Sequence, residues 1–222
     1  MTDETAGEPV PYAKSTVLPM FPTLVWRTEV KDEPRQRIER AVMAAVDGMA
    51  PAVRDLARGR SWQSDPALHE RPDLAELVAI LRRMTGAVLD FLRVGHDGFA
   101  ITGLWANVSA PGAAHPVHHH PNNFLSGAYY VRVADGADTI QFHDPRPQVR
   151  AIRPPVHELT GENTDLVVVR VAAGTLILFP SWLEHSVPPN ESDGPRVSLS
   201  FNAMFTRYAE TMAPPMWEPG FR

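Results

Sequence analysis

The sequence predicts an α+β domain, with helices in the first hundred residues and an antiparallel sandwich or barrel after them. Two observations carry this prediction. Before Gly95, apolar residues recur at three- and four-residue steps; after it, short β-branched and aromatic runs alternate with Gly, Pro, Asn and Asp. The order adds a third: helices followed by strands, with no βαβ alternation, place the helices as buttresses on one sheet.

In chain order, residues 1–15 are polar, acidic and rich in Pro and Gly, and read as a flexible tail. Residues 16–222 read as one domain, with a helical part at about 31–95 and a barrel core at about 99–206. An edge strand is expected at Thr23–Thr28, bounded by Pro22. Pro34 suits the first turn of a helix whose stripe is Ile38, Ala41, Val42, Ala45, Val46 and Met49, ending before Pro51. A second helix follows Pro72, with Leu74, Leu77, Val78, Leu81, Met84, Val88 and Leu92 on one face. Both stripes read as packing surfaces. Strands are expected at Phe99–Val108, Phe124–Val133, Thr139–Phe142, Leu166–Val171, Thr175–Phe179 and Arg196–Phe205.

Composition narrows the class of function. The 222 residues are 44% hydrophobic and 21% charged, a globular mix on a chain long enough to bury a core. There is no cysteine, which excludes disulfide frameworks, iron–sulfur clusters, thiolate zinc sites and cysteine nucleophiles. A net charge of -5 argues against a general nucleic-acid or membrane-surface binder. The acidic start has no signal-peptide pattern, and no apolar run approaches the ~18–20 residues of a membrane span. A cytosolic protein is the expectation.

The chemistry concentrates in the histidines. Ala114–Leu125 reads AHPVHHHPNNFL. On an extended backbone His118 and His120 share a face while His119 points away, so two imidazoles can chelate one ion. His185, at the end of GTLILFPSWLEH, is the best candidate for a third ligand. His143 reads as structural, and His69 and His157 as surface residues. With no thiolate available, imidazole nitrogens suit Fe(II), Zn(II), Mn(II) or Cu(II). Eleven residues after His185 begins RVSLSFNAMF, which puts Arg196, Ser198, Ser200 and Asn202 on one strand face and Val197, Leu199, Phe201 and Ala203 on the other. Such a polar face is either solvated or lines a pocket in which an arginine grips a carboxylate.

These residues carry a resemblance. The run His118-His119-His120-Pro121, then SGAYYV at 126–131, Asp144-Pro145-Arg146, FPSWLEH at 179–185 and Arg196-Val197-Ser198 are similar to the small bacterial 2-oxoglutarate–iron oxygenases, distant relatives of the prolyl hydroxylases. FPTLVW near the start and SWQSDPALHERPDL before the second helix fit the same group, so the likeness runs from about residue 18 to 206. It implies a double-stranded β-helix, a squashed jelly-roll or cupin-like barrel, with the metal at its mouth. Fe(II) would be held by His118, His185 and a third group; Arg196 with Ser198 would bind the far carboxylate of the cosubstrate 2-oxoglutarate. Tyr129 would place its hydroxyl on that cosubstrate, and Asn107, on the first core strand with Trp105, would be a further pocket residue.

One position departs from the wider family, whose usual set is two histidines and a carboxylate. Here His120 stands at the carboxylate position, leaving three alternatives. His120 ligates; or Asp144 swings in from a neighbouring strand; or the position stays vacant, as in relatives that accept chloride. The expected set is His118, His120 and His185, with no catalytic side chain beyond the metal site. The implied reaction consumes O2 and 2-oxoglutarate, releases succinate and CO2, and oxidises a small-molecule or amino-acid-type substrate, by default through hydroxylation. Neither nucleic acid nor membrane is an expected partner, and a homodimer is left open. Two other classes stay in view: a cupin-like three-histidine dioxygenase that binds its substrate on the metal without 2-oxoglutarate, and a non-catalytic β-barrel binding protein.

Overall fold

The computed structural model describes residues 14–50, 53 and 55–211. Of the tail expected at 1–15, all but Lys14 and Ser15 lies outside the described residues. The first strand, β1 (Trp26–Glu29), precedes α1 (Asp32–Met49), which buries Ile38, Val42, Ala45 and Val46 and carries Asp32 and Glu33 in its first turn. Those acids complement the positive end of the helix dipole. A three-residue β2 (Ser61–Gln63) and two 3-10 turns lead into α2 (Ala75–Phe91), which buries Leu77, Val78, Leu81, Thr85, Val88 and Leu89. The barrel follows: β3 (Phe99–Ser109), β4 (His115–His118), β5 (Leu125–Arg132), β6 (Thr139–His143), β7 (Leu166–Arg170), β8 (Thr175–Pro180), β9 (His185–Val187) and β10 (Arg196–Phe205).

The strands form two sheets. One has six strands in the order β1-β8-β5-β10-β3-β2; the other has four, β4-β9-β6-β7. All strand pairs are antiparallel. The larger sheet is buried on both faces. Its outer face carries Leu104, Tyr129, Leu176, Leu199 and Phe201, which join the α1 and α2 stripes in one core. Its inner face supplies Ala128, Tyr130, Ile177 and Phe179, which meet Ile140 and Phe142 of β6 in a second core between the sheets. This two-sheet enclosure is the expected double-stranded β-helix.

The expectation that helices stop at residue 100 needs correction. Two short ones follow: α3 (Pro147–Ala151), with Pro at its first position, and α4 (Thr206–Thr211), directly after β10. Both are too short for a hydrophobic stripe to announce them. Three strands were also unannounced: β2 and β9, of three residues each, and β4, whose Pro116 and histidines hide its pairing. Among the described residues no helix is long and apolar enough to cross a membrane.

Candidate active site

The histidines enter one cavity from the smaller sheet. His118 ends β4 and stands opposite His185, its ladder partner at the start of β9. His120 lies two residues past β4, where its backbone N–H donates to the Ser181 carbonyl at 2.9 Å. The three rings are neighbours, with centroids 4.3 Å apart for His118–His185 and 5.1 Å for each pair with His120. One ring nitrogen from each lies within 4.8 Å of the others. Small rotations of the rings would bring three such nitrogens onto one ion bonded at about 2.0–2.2 Å.

Two rings have a defined tautomer. His118 Nδ1 lies 2.8 Å from the Pro116 carbonyl oxygen, and His185 Nδ1 lies 2.9 Å from that of Leu183. A carbonyl only accepts, so Nδ1–H donates in both rings and the Nε2 lone pair is left for a metal. Burial, reinforced by the neighbouring histidines, lowers the pKa of His185 to about 3 and that of His120 to about 4. Both rings are therefore uncharged at neutral pH, the form that coordinates metal.

No carboxylate joins this cluster among the described residues. Asp144 is engaged elsewhere: its Oδ2 accepts from Arg146 Nη2 at 2.6 Å and its Oδ1 from the Arg146 backbone N–H at 2.9 Å. The guanidinium holds that carboxyl below the usual carboxylate range. His143 has a structural contact, 2.9 Å from Ser186 Oγ on β9. His119 and His157 are exposed, whereas His69 is half-buried rather than on the surface.

Across the cavity lies the polar face of β10. Arg196, Ser198 and Ser200 line a space of about 250 Å³ together with the histidines, Trp105 and Asn107. Arg196 is 5% exposed, and its Nε has no hydrogen-bond partner. Burial depresses its pKa, opposed only by nearby Tyr130. Asn107 Nδ2 donates to Ser200 Oγ at 3.0 Å.

The register corrects the tyrosine. Ser198 stands opposite Asn107 on β3 and Tyr130 on β5, so these three form one row on the inner face. Leu199, one residue on, stands opposite Ala106 and Tyr129 on the outer face. Tyr129 is thus buried against the helices, and Tyr130 is the tyrosine that lines the cavity. The alternation in LSGAYYVR held the signal: Ser126 and Ala128 share a face with Tyr130, while Leu125 and Val131 share one with Tyr129. Two further lining residues were missed, His115 and Gln63. His115 stacks on His118 at 4.9 Å.

Comparison with known proteins agrees with this architecture. HygX from Streptomyces hygroscopicus, solved with nickel and 2-oxoglutarate bound, is 17% identical over 83% of both chains, with a TM-score of 0.57. A prolyl-4-hydroxylase from Pseudomonas putida is 16% identical over 82% of this chain and 93% of its own, with a TM-score of 0.54. SnoK, described as a non-heme alpha ketoglutarate dependent carbocyclase from nogalamycin biosynthesis, is 12% identical over 89% and 90%, with a TM-score of 0.62. These likenesses concern the fold. No curated protein matches the chain by sequence. Residues 103–202, from β3 into β10, match the family described as "Putative 2OG-Fe(II) oxygenase". That segment, which contains all three clustered histidines and Arg196, is where the chain is similar to the 2OG-Fe(II) oxygenases.

Proposed function

We propose that His118, His120 and His185 hold one Fe(II), that Arg196 anchors the distal carboxylate of 2-oxoglutarate, and that the enzyme hydroxylates a small-molecule or amino-acid-type substrate. The observation that carries this reading is the buried Arg196 guanidinium, whose Nε has no hydrogen-bond partner. A cation 5% exposed, with a buried Nε lacking any partner, is costly unless an anion normally meets it. The donor set fits the metal equally well. Three imidazole nitrogens suit a divalent ion, and without an anionic ligand the loaded site keeps more positive charge for a dianionic cosubstrate.

When bound, Fe(II) and 2-oxoglutarate supply an O2-dependent oxidation of the substrate, with release of succinate and CO2. This chain's residues hold and orient. The Pro116 and Leu183 carbonyls fix the tautomers of His118 and His185. Ser198 and Tyr130 stand beside Arg196 with hydroxyls suited to the same carboxylate, and Asn107 steadies the row through Ser200. Phe179, edge-on to His185 at 4.6 Å, and Trp105 beside His120 keep water from the ligand rings.

The test is Ni(II) binding to metal-free protein by calorimetry. One equivalent should bind, and His118→Ala, His120→Ala and His185→Ala should each weaken it at least about 10-fold. Unchanged affinity in His118→Ala and His185→Ala would overturn the ligand assignment.

A further inference from the structure

His120 differs from its two partners in how it is held. His118 and His185 sit in paired strands, and each ring is anchored through Nδ1 to a carbonyl. His120 lies outside every strand, in the short connection between β4 and β5. One backbone bond, to the Ser181 carbonyl, ties it to the barrel. Ser181 therefore sets where His120 stands.

Ser181 is fully buried and grips that connection at two points. Its carbonyl accepts from His120 N–H at 2.9 Å, and its own N–H donates to the Phe124 carbonyl at 3.1 Å. Its hydroxyl then reaches into the larger sheet. Ser181 Oγ lies 2.8 Å from Ser126 Oγ on β5, and Ser126 Oγ donates to Asn202 Oδ1 on β10 at 2.7 Å. The single Ser126 proton goes to Asn202, so Ser181 donates to Ser126. The result is one path from the His120 backbone through Ser181 and Ser126 to the strand that also carries Arg196 and Ser198.

We infer that Ser181, Ser126 and Asn202 form a positioning relay that fixes His120 relative to the cosubstrate face of β10. The inference rests on His120 being a metal ligand, as proposed above. Ser181 and Ser126, at 0% and 1% exposure, gain nothing from water, and packing alone would be served as well by alanine. Hydroxyls retained there serve geometry. Loss of a group that orients a metal ligand typically costs about 10–100-fold in metal affinity.

The experiment measures Ni(II) affinity of the metal-free full chain for Ser181→Ala, Ser126→Ala, the double variant, His120→Ala and, as a control, Val42→Ala in α1. Thermal stability is recorded alongside, and the visible spectrum of each Co(II)-loaded form reports the coordination sphere. The relay predicts about a 10-fold or greater loss of affinity and an altered Co(II) spectrum in each serine variant. Acting as one unit, the pair should lose no more together than the worse single variant. Val42→Ala should lower the melting temperature with affinity unchanged. If His120→Ala binds Ni(II) like wild type, the ligand reading and the relay both fall. If His120→Ala weakens binding while Ser181→Ala and Ser126→Ala melt lower but bind normally, the relay alone falls. Should Ser181→Ala fail to fold, Ser126→Ala decides by the same criterion.

Discussion

His185 and His120 are kept neutral by the fold that brings them together. Their pKa values lie at about 3 and about 4 in the folded chain, against about 6.5 for an unperturbed imidazole. The unfolded chain therefore takes up more protons than the folded one as pH falls below about 6.5. By linkage, the stability from keeping these rings neutral is complete above about pH 6.5 and is lost on descent toward pH 3–4. The melting temperature of metal-free protein should fall steadily between pH 7 and pH 4.5, less steeply in His185→Gln. Equal slopes in the two proteins would show that His185 is not held neutral. The tyrosine pair gives a second test. Tyr130→Phe should raise the 2-oxoglutarate dissociation constant by about 10-fold, the scale of one hydrogen bond to a charged group at about 1.5 kcal/mol. Tyr129→Phe should leave it unchanged; the opposite pattern would mean that the row Asn107–Ser198–Tyr130 is misassigned.

At the scale of elements, legibility followed length. The stripes of α1 and α2 and the alternation of β10 were readable because each repeats over eight or more residues. β10 was read at its observed limits, Arg196–Phe205, because four polar and four apolar residues alternate before the pattern ends. β4 and β9, which deliver His118 and His185, have four and three residues, too few for any period to show. The register was also hidden. Local alternation separates the faces of Tyr129 and Tyr130, but which of them stands beside Ser198 is a long-range pairing that local composition does not specify. Gly127 has a similar hidden constraint, since a Cβ there would lie 2.4 Å from the Phe201 ring and 2.6 Å from the Ile177 carbonyl oxygen. Central β5 therefore needs glycine where the Phe201 ring packs over it. Gly127→Ala should destabilise the protein by about 1–3 kcal/mol or more, the usual cost of overpacking, seen in chemical denaturation. Wild-type stability in that variant would contradict the packing described.

The whole molecule divides its work between the two faces of one sheet. The outer face of the six-stranded sheet packs on the helices and supplies most of the core; the inner face supplies Arg196, Ser198, Asn107 and Tyr130 to the cavity. The smaller sheet and the connection after β4 bring the three histidines to the opposite wall. That division explains why the clustering of the candidate site was legible in the sequence while its fine positioning was not. His118, His120, His185 and Arg196 are conspicuous residue types in short motifs. Tyr130 and Gln63 join the cavity wall, and Ser181 meets Ser126, only through contacts between segments distant in the chain. The central claim, that metal and 2-oxoglutarate meet between these walls, is tested most directly by anaerobic titration of the Fe(II)-loaded protein with 2-oxoglutarate, following the visible charge-transfer band of the chelate. Wild type should develop the band and saturate, and Arg196→Ala should bind about 30-fold or more weakly, corresponding to about 2–5 kcal/mol for a buried charge pair that loses one partner. A wild-type protein that develops no band, or an Arg196→Ala variant that binds 2-oxoglutarate as tightly as wild type, would contradict it.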